Sequence, residues 1–161
     1  EQAIRLTPTA GVSIDFGFAQ PVTEATGLIV SADPFVMGLA TSNVDPTVAP
    51  PGKQLLTFYY PRPHTEVQNA HAARLALNQL EVLVNRLFPK LPKPEWVRRL
   101  ALPMVDGAAP TVDQHRHKRL PIQSGVKGLF LAGDAHQAAG AGGDIAFAAA
   151  LKCAAQILGD A

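Results

Sequence analysis

The sequence predicts an α+β fold with a largely antiparallel sheet, one covering helix and a C-terminal strand that is followed by a helix. Three observations support this prediction. Short β-type segments separated by proline and glycine occupy residues 1 to about 60. An amphipathic helical pattern follows over 65–88. Near the end of the chain, a glycine-rich loop connects a short apolar segment to an alanine-rich one.

Length, composition and charge restrict the class of protein. The chain has 161 residues, of which 47% are hydrophobic, as in a globular domain. Fourteen basic residues against 13 acidic ones give a formal charge of +1, so no nucleic-acid partner is expected. The single cysteine, Cys153, excludes an internal disulfide and fits a reducing compartment. We therefore expect a cytoplasmic protein, without a signal peptide or a membrane-spanning helix.

Four segments of the first part have the features of β-strands. Residues 12–18 alternate apolar and polar side chains, which predicts a strand with one buried face. The Asp33-Pro34 turn separates the second segment from the third, and a proline-rich connection precedes the fourth. A meander is the simplest arrangement of the first three strands. The other three segments are 27–31, 35–42 and 53–60.

One amphipathic helix is predicted over 65–88. Ala73, Leu77, Leu80, Val84 and Leu87 recur at spacings of three and four, so one face packs on the sheet, and a proline ends the helix. The following segment, 90–110, is expected to run through a short helix or turn into a strand, with its tryptophan as a packing anchor.

The last third combines a strand, an acidic turn, a glycine loop and a helix. Residues 128–134 form an apolar segment bounded by glycines and ending in Asp134, which predicts a buried strand. Glycines at 140, 142 and 143 precede a helix over 144–158, and Gly159 ends it. The start of a helix carries unpaired N–H groups, and glycines allow close approach to the backbone. The pattern therefore favours an anionic or electron-rich ligand.

The dinucleotide-binding pattern G-x-G-x-x-G is absent. The nearest match, 140–145, has Ile145 in place of the third glycine. It also begins six residues after the Gly-Asp turn, and too few residues follow it to complete a βαβ unit.

Two segments resemble the flavin amine oxidase and phytoene desaturase superfamily. The sequence GLFLAGD at 128–134, with the glycines and alanine-rich helix that follow, is similar to the C-terminal flavin-contacting motif of that family. The sequence APPGKQ at 49–54 is similar to a turn in its substrate domain. The resemblance implies FAD as cofactor, Asp134 near its ribityl and pyrophosphate part, and a helix start directed at the flavin ring. The implied cofactor-binding residues are Gly133, Asp134, Gly142, Gly143, Asp144 and Ile145.

The resemblance also implies a division of the chain and a parent enzyme. Residues 1–105 would be a substrate-domain-like sheet and helix, and 106–161 would return to complete an FAD-binding domain. The chain begins at Glu1 and lacks the family's N-terminal dinucleotide motif, so we expect a C-terminal fragment, inactive without its missing N-terminal FAD-binding domain. The parent would oxidise or desaturate a small apolar substrate. Oxidation of an amine or a porphyrinogen stays open, and no catalytic residue is assigned.

Other candidate sites have weaker support. His115 and His117 have a spacing that would allow metal ligation, but no third ligand accompanies them, so no metal site is predicted. The basic loop 114–119 favours a solvated surface, with contact to an anionic ligand or a membrane surface as the alternative. His136 is expected to be solvated or hydrogen-bonded, and Ser124 to lie in a turn.

A second function stays open for the chain as it stands. It would be a non-catalytic α+β module that binds a partner or associates with itself as a homo-oligomer. An unpartnered strand and helix would expose apolar surface, which favours such association.

Overall fold

The computed structural model describes residues 6–159 of the chain. They divide into two compact units. The first, which we call the sheet region, is Ala10–Pro103. The second, which we call the C-terminal region, comprises the residues from Met104 onward and those up to Thr9.

The sheet contains five strands in the spatial order β2-β3-β4-β1-β5. β2, β3 and β4 form a meander, but β1 lies between β4 and β5, so the predicted meander of the first three strands is wrong. Antiparallel registers join β1 to β4, β2 to β3 and β3 to β4. The N–H of Glu95 donates to the carbonyl of Gly17. The strands are β1 (Thr9–Phe18), β2 (Ile29–Ala32), β3 (Phe35–Leu39), β4 (Gln54–Pro61) and β5 (Trp96–Asp106).

The helices differ from the prediction in two places. A short helix occupies Thr41–Val44, where the sequence predicted the end of a strand and the start of a proline-rich connection. The predicted helix over 65–88 is divided at Asn69, because the side chain of Asn69 accepts from the N–H groups of His71 and Ala72, each at 3.0 Å, and starts a new helix there. Short 3₁₀ turns lie at Pro46–Val48 and Arg116–Lys118. The α-helices are α1 (Thr41–Val44), α2 (His64–Gln68), α3 (Ala70–Leu87) and α4 (Gly143–Leu158).

The core lies between α3 and one face of the sheet. Leu80 and Val84 of α3 are fully buried against apolar side chains of β1 and β4, such as Ile14, Leu56 and Phe58. Phe58 meets the ring of Phe88 edge to face at a centroid distance of 6.0 Å. This packing confirms the predicted covering helix.

The opposite face of β1 is also buried, which the alternating pattern did not predict. The ring of Tyr59 covers Gly11 so closely that a Cβ there would lie 2.6 Å from it. The indole of Trp96, although 48% of that residue is exposed, covers Gly17 in the same way. Between them, Asp15 pairs with Arg98, whose Nη2 lies 2.6 Å from the carboxylate. Glycines and one ion pair therefore make the second face of this strand compact.

The C-terminal region has little regular structure before α4. The predicted strand over 128–134 makes only an isolated antiparallel bridge, between Phe130 and Gln123. A second bridge, parallel, joins Leu120 to His136. A strand needs a partner strand beside it to form a ladder of hydrogen bonds. The described part of the chain has no strand beside 128–134, so this segment does not become a regular strand. The predicted α4 is confirmed, and Gly159 ends it in the left-handed conformation.

Candidate functional site

The Gly133-Asp134 turn is held in place by a contact that the sequence did not indicate. Gly133 has a φ of 138°, which favours glycine there. The Oδ2 atom of Asp134 accepts a hydrogen bond from the N–H of Gly107 at 2.8 Å. A Cβ on Gly107 would lie 2.5 Å from the other carboxylate oxygen. Asp134 therefore has a structural role, and its Oδ1 atom has no hydrogen-bond partner within residues 6–159.

His136 lies two residues beyond Asp134 and is buried. Only 9% of its surface is exposed, and neither ring nitrogen has a partner among the described residues. This differs from the solvated or hydrogen-bonded state expected for a loop histidine. Burial lowers the pKa of His136, against the opposing effects of the Gly133 backbone and the Asp134 charge. The neutral imidazole offers one donor and one acceptor that the described chain leaves unused.

The glycine loop leaves the start of α4 open. Gly142 adopts φ 56° and ψ −130°, and no side chain caps the helix. A Cβ built at Gly142 or Gly143 would meet nothing within 4 Å. At Gly140, by contrast, a Cβ would lie 2.7 Å from that of Asp144, so the chain's own packing requires that glycine. The backbone at Gly142 and Gly143 is therefore open to the close approach of another group.

The remaining predicted cofactor residues differ in exposure. The side chain of Asp144 is exposed, and its N–H donates to the carbonyl of Ala141 at 3.2 Å. Ile145 is only 2% exposed, and its N–H donates to Gly142 at 3.2 Å. Ile145 therefore serves the packing of α4. The structure brings Gly133, Asp134 and His136 together in one turn, and Gly142, Gly143 and Asp144 at one helix start.

The other candidate residues form no second reactive cluster. The rings of His115 and His117 lie 6.4 Å apart, and within 6–159 no three metal-ligating side chains group together. Ser124 lies in a turn as predicted, where its hydroxyl donates to the carbonyl of Leu129 at 2.9 Å. The basic loop is anchored by Lys118, which donates to the carbonyl of Val112. None of the helices within the described residues is both long and apolar enough to cross a bilayer.

Comparison with known proteins gives the family. The model of the flavin containing amine oxidoreductase family matches residues 7–158. Two solved structures have a similar fold: an oxidoreductase from Methanosarcina mazei (TM-score 0.71, 19% identity, 96% of this chain covered) and a protein described as a candidate protoporphyrinogen oxidase from Exiguobacterium sp. 255-15 (TM-score 0.59, 18% identity, 97% covered). This chain spans 36% of the length of each. No curated protein sequence matches it. The family match extends over nearly the whole chain, which therefore belongs to the flavin containing amine oxidoreductases.

Proposed function

We propose that this chain is the C-terminal part of an FAD-dependent oxidoreductase that dehydrogenates or oxidises a small apolar substrate, as phytoene desaturase-like enzymes do. FAD is the cofactor that membership of the family implies for the full protein. The observation that carries the proposal is the conjunction of the Asp134 turn with an uncapped helix start that has open glycines.

The residues present fit a dinucleotide. Asp134 keeps one carboxylate oxygen free after it accepts from Gly107, and that oxygen can accept from a ribityl hydroxyl. The buried imidazole of His136 has two polar atoms without partners, which a bound polar group can satisfy. At Gly142 and Gly143 the backbone is accessible, and the positive end of α4 favours negative charge nearby.

Within this proposal the chain positions the cofactor and shapes its electrostatic surroundings. The bound flavin supplies the hydride chemistry. Asp134 fixes the sugar part, because the contact with Gly107 already holds its carboxylate. The start of α4 stabilises negative charge near the ring, and the glycines bring the backbone close to the ligand. No side chain of the described residues is assigned to proton transfer.

Flavin titration of the full-length protein tests this proposal. Gly143→Val puts a side chain where only the ligand would meet it, so we expect FAD affinity to fall by at least tenfold while folding is unchanged. Asp134→Asn keeps an acceptor for Gly107 and removes the charge, whereas Asp134→Ala loses both. We expect the parent to retain FAD best, Asp134→Asn to retain less and Asp134→Ala to retain least.

Two controls separate cofactor loss from damage to the fold. Gly27→Val alters a glycine away from the proposed site whose Cβ would also meet nothing within 4 Å. Asp113→Ala alters an exposed carboxylate outside the Gly133-Asp134 turn. Both should bind FAD like the parent, with circular dichroism confirming that all variants are folded. If Gly143→Val and Asp134→Ala also bind FAD like the parent, the proposed flavin site is wrong.

A second candidate function is self-association through α4. Phe147 and Leu151 are 76% and 75% exposed on that helix, and Leu158 is 74% exposed. Contiguous apolar surface of this kind favours an interface. We expect the isolated 161-residue chain to form oligomers by light scattering, and Phe147→Glu with Leu151→Glu to dissociate them. A monomer at high concentration would exclude this function.

A further inference from the structure

A cavity of about 440 Å³ lies in the sheet region, beside α3. Its floor is formed by Tyr60 and Leu83, which are both buried. Leu75 and Val82 form a wall and are 49% and 59% exposed, and Pro34, at the turn between β2 and β3, also lines the cavity. The volume falls within the range of roughly 300–1,000 Å³ that small-molecule sites occupy.

The wall belongs to a stripe of α3 that the core does not use. Leu75, Asn78, Val82 and Arg86 recur at spacings of three and four, so they lie along one side of the helix. The core is filled instead by residues such as Ala76, Leu80 and Val84. Because α3 already buries a full face on the sheet, packing of the described chain does not explain why two large apolar side chains, Leu75 and Val82, stay exposed along this stripe.

Arg86 gives this cavity an unpaired positive charge. Elsewhere in the sheet region, Arg62 pairs with Glu66, Arg98 with Asp15, and Arg99 with Glu81. Arg86 lines the cavity, is exposed, and has no carboxylate partner among the side chains that the structure describes. A guanidinium offers a planar fork that matches a carboxylate.

We propose that this cavity binds a small amphipathic anion, with an acyl chain along Leu75, Val82 and Leu83 and a carboxylate on Arg86. The apolar floor accounts for the chain, and the unpaired guanidinium selects an anion over a neutral or cationic head group. Asn78 offers an amide near the same rim. This site is in the sheet region and involves none of the residues proposed to hold FAD.

Calorimetric titration of the 161-residue chain with dodecanoate, below its micelle concentration, tests the proposal. We expect saturable one-to-one binding, with dodecanol and dodecyltrimethylammonium bound at least about tenfold more weakly because they lack the carboxylate. Arg86→Gln should weaken dodecanoate about tenfold or more and leave dodecanol unchanged. Val82→Asp should abolish dodecanoate binding, since it adds a negative charge to the wall.

Matched variants on the same region serve as controls. Arg74→Gln removes an exposed arginine of α3 that does not line the cavity, and Val48→Asp adds a charge at an exposed valine far from it in sequence. Both should bind dodecanoate like the parent. Equal binding of the anionic and cationic probes, or unchanged binding by Arg86→Gln, would overturn the proposal. So would binding to phosphatidylglycerol vesicles without binding of monomeric dodecanoate, since a lipid surface would then occupy this face.

Discussion

The sheet region and the C-terminal region bury their apolar residues to very different extents. In the sheet region, 13 buried side chains from β1, β3, β4, α3 and the residue after β3 form one cluster. Among the described residues of the C-terminal region, the buried apolar residues are Ile122, Ala135, Ile145 and Ala149. Its large apolar side chains are mostly exposed, including Met104, Val112 and Phe147.

This difference shows which part of the chain can be stable by itself. The sheet region combines a hydrophobic cluster with a covering helix, as an independent domain requires. The C-terminal region relies more on hydrogen bonds, such as those of Gln114 with the backbone of Thr7, which is 107 positions away in the sequence. Under the proposed function, its exposed surface would be covered by other parts of the flavoprotein.

The largest effect is expected for truncation of the core ring of Phe58. Phe58 is 1% exposed, so Phe58→Ala should lower the free energy of unfolding by about 3–5 kcal/mol. Phe147→Ala makes the same chemical change at a side chain that is 76% exposed, and should cost less than about 0.5 kcal/mol. Urea unfolding of both variants, followed by circular dichroism, measures the contrast. Equal costs would mean that the C-terminal region has a core of its own.

A smaller effect is expected at the ion pairs of the two regions. Asp15 has 5% of its side chain exposed and Arg98 pairs with it, so Arg98→Gln should cost about 1–3 kcal/mol by leaving a buried carboxylate poorly matched. Lys118→Gln removes a pair whose Asp113 side chain is 85% exposed, and should be close to neutral. Fluorescence of Trp96, the single tryptophan, reports unfolding of the sheet region directly. If Arg98→Gln left the free energy of unfolding unchanged, the two ion pairs would not differ in their contribution to stability.

The smallest effect is a pH dependence that is specific to the C-terminal region. Burial lowers the pKa of His136 in the folded chain, while the unfolded value is about 6.5. As the pH falls below that unfolded value, the unfolded state binds the proton first and stability decreases; above it the contribution is complete. Between about pH 7 and pH 5, the free energy of unfolding should therefore fall less in His136→Gln than in the parent. His71→Gln, which alters an exposed residue of α3, is the control. Parallel pH curves for parent and His136→Gln, measured by urea unfolding, would contradict it.

Patterns within one element predicted most of the secondary structure. The spacing of apolar residues gave α3 to within a residue at its C-terminus, and the alanine-rich segment gave α4. The alternating pattern predicted that β1 is buried on one face only. Its second face is covered by Tyr59 and Trp96, which are distant from β1 in the sequence. Neither the position of β1 between β4 and β5 nor its burial follows from its own residues.

The sequence indicated the glycines at the start of α4 but not the contacts that support the Gly133-Asp134 turn. Gly142 and Gly143 were selected by their position before a helix, and the structure leaves both open. The contact of Asp134 with Gly107 joins residues 27 positions apart, and no spacing rule indicates it. The burial of His136 also depends on the tertiary fold, so it could not be predicted from a single histidine in a loop.

The placement of β1 between β4 and β5 has a consequence for synthesis on the ribosome. β1 leaves the ribosome before both of its neighbours, and one of them, β5, begins only at Trp96 and ends at Asp106. Until then the nascent chain carries an unpaired strand edge, and Gly17 lacks its indole cover. Pairing across such separations is slow, since a long loop must close before any contact forms. The nascent sheet region therefore passes through a stage at which chaperones, or another nascent copy, can reach that edge.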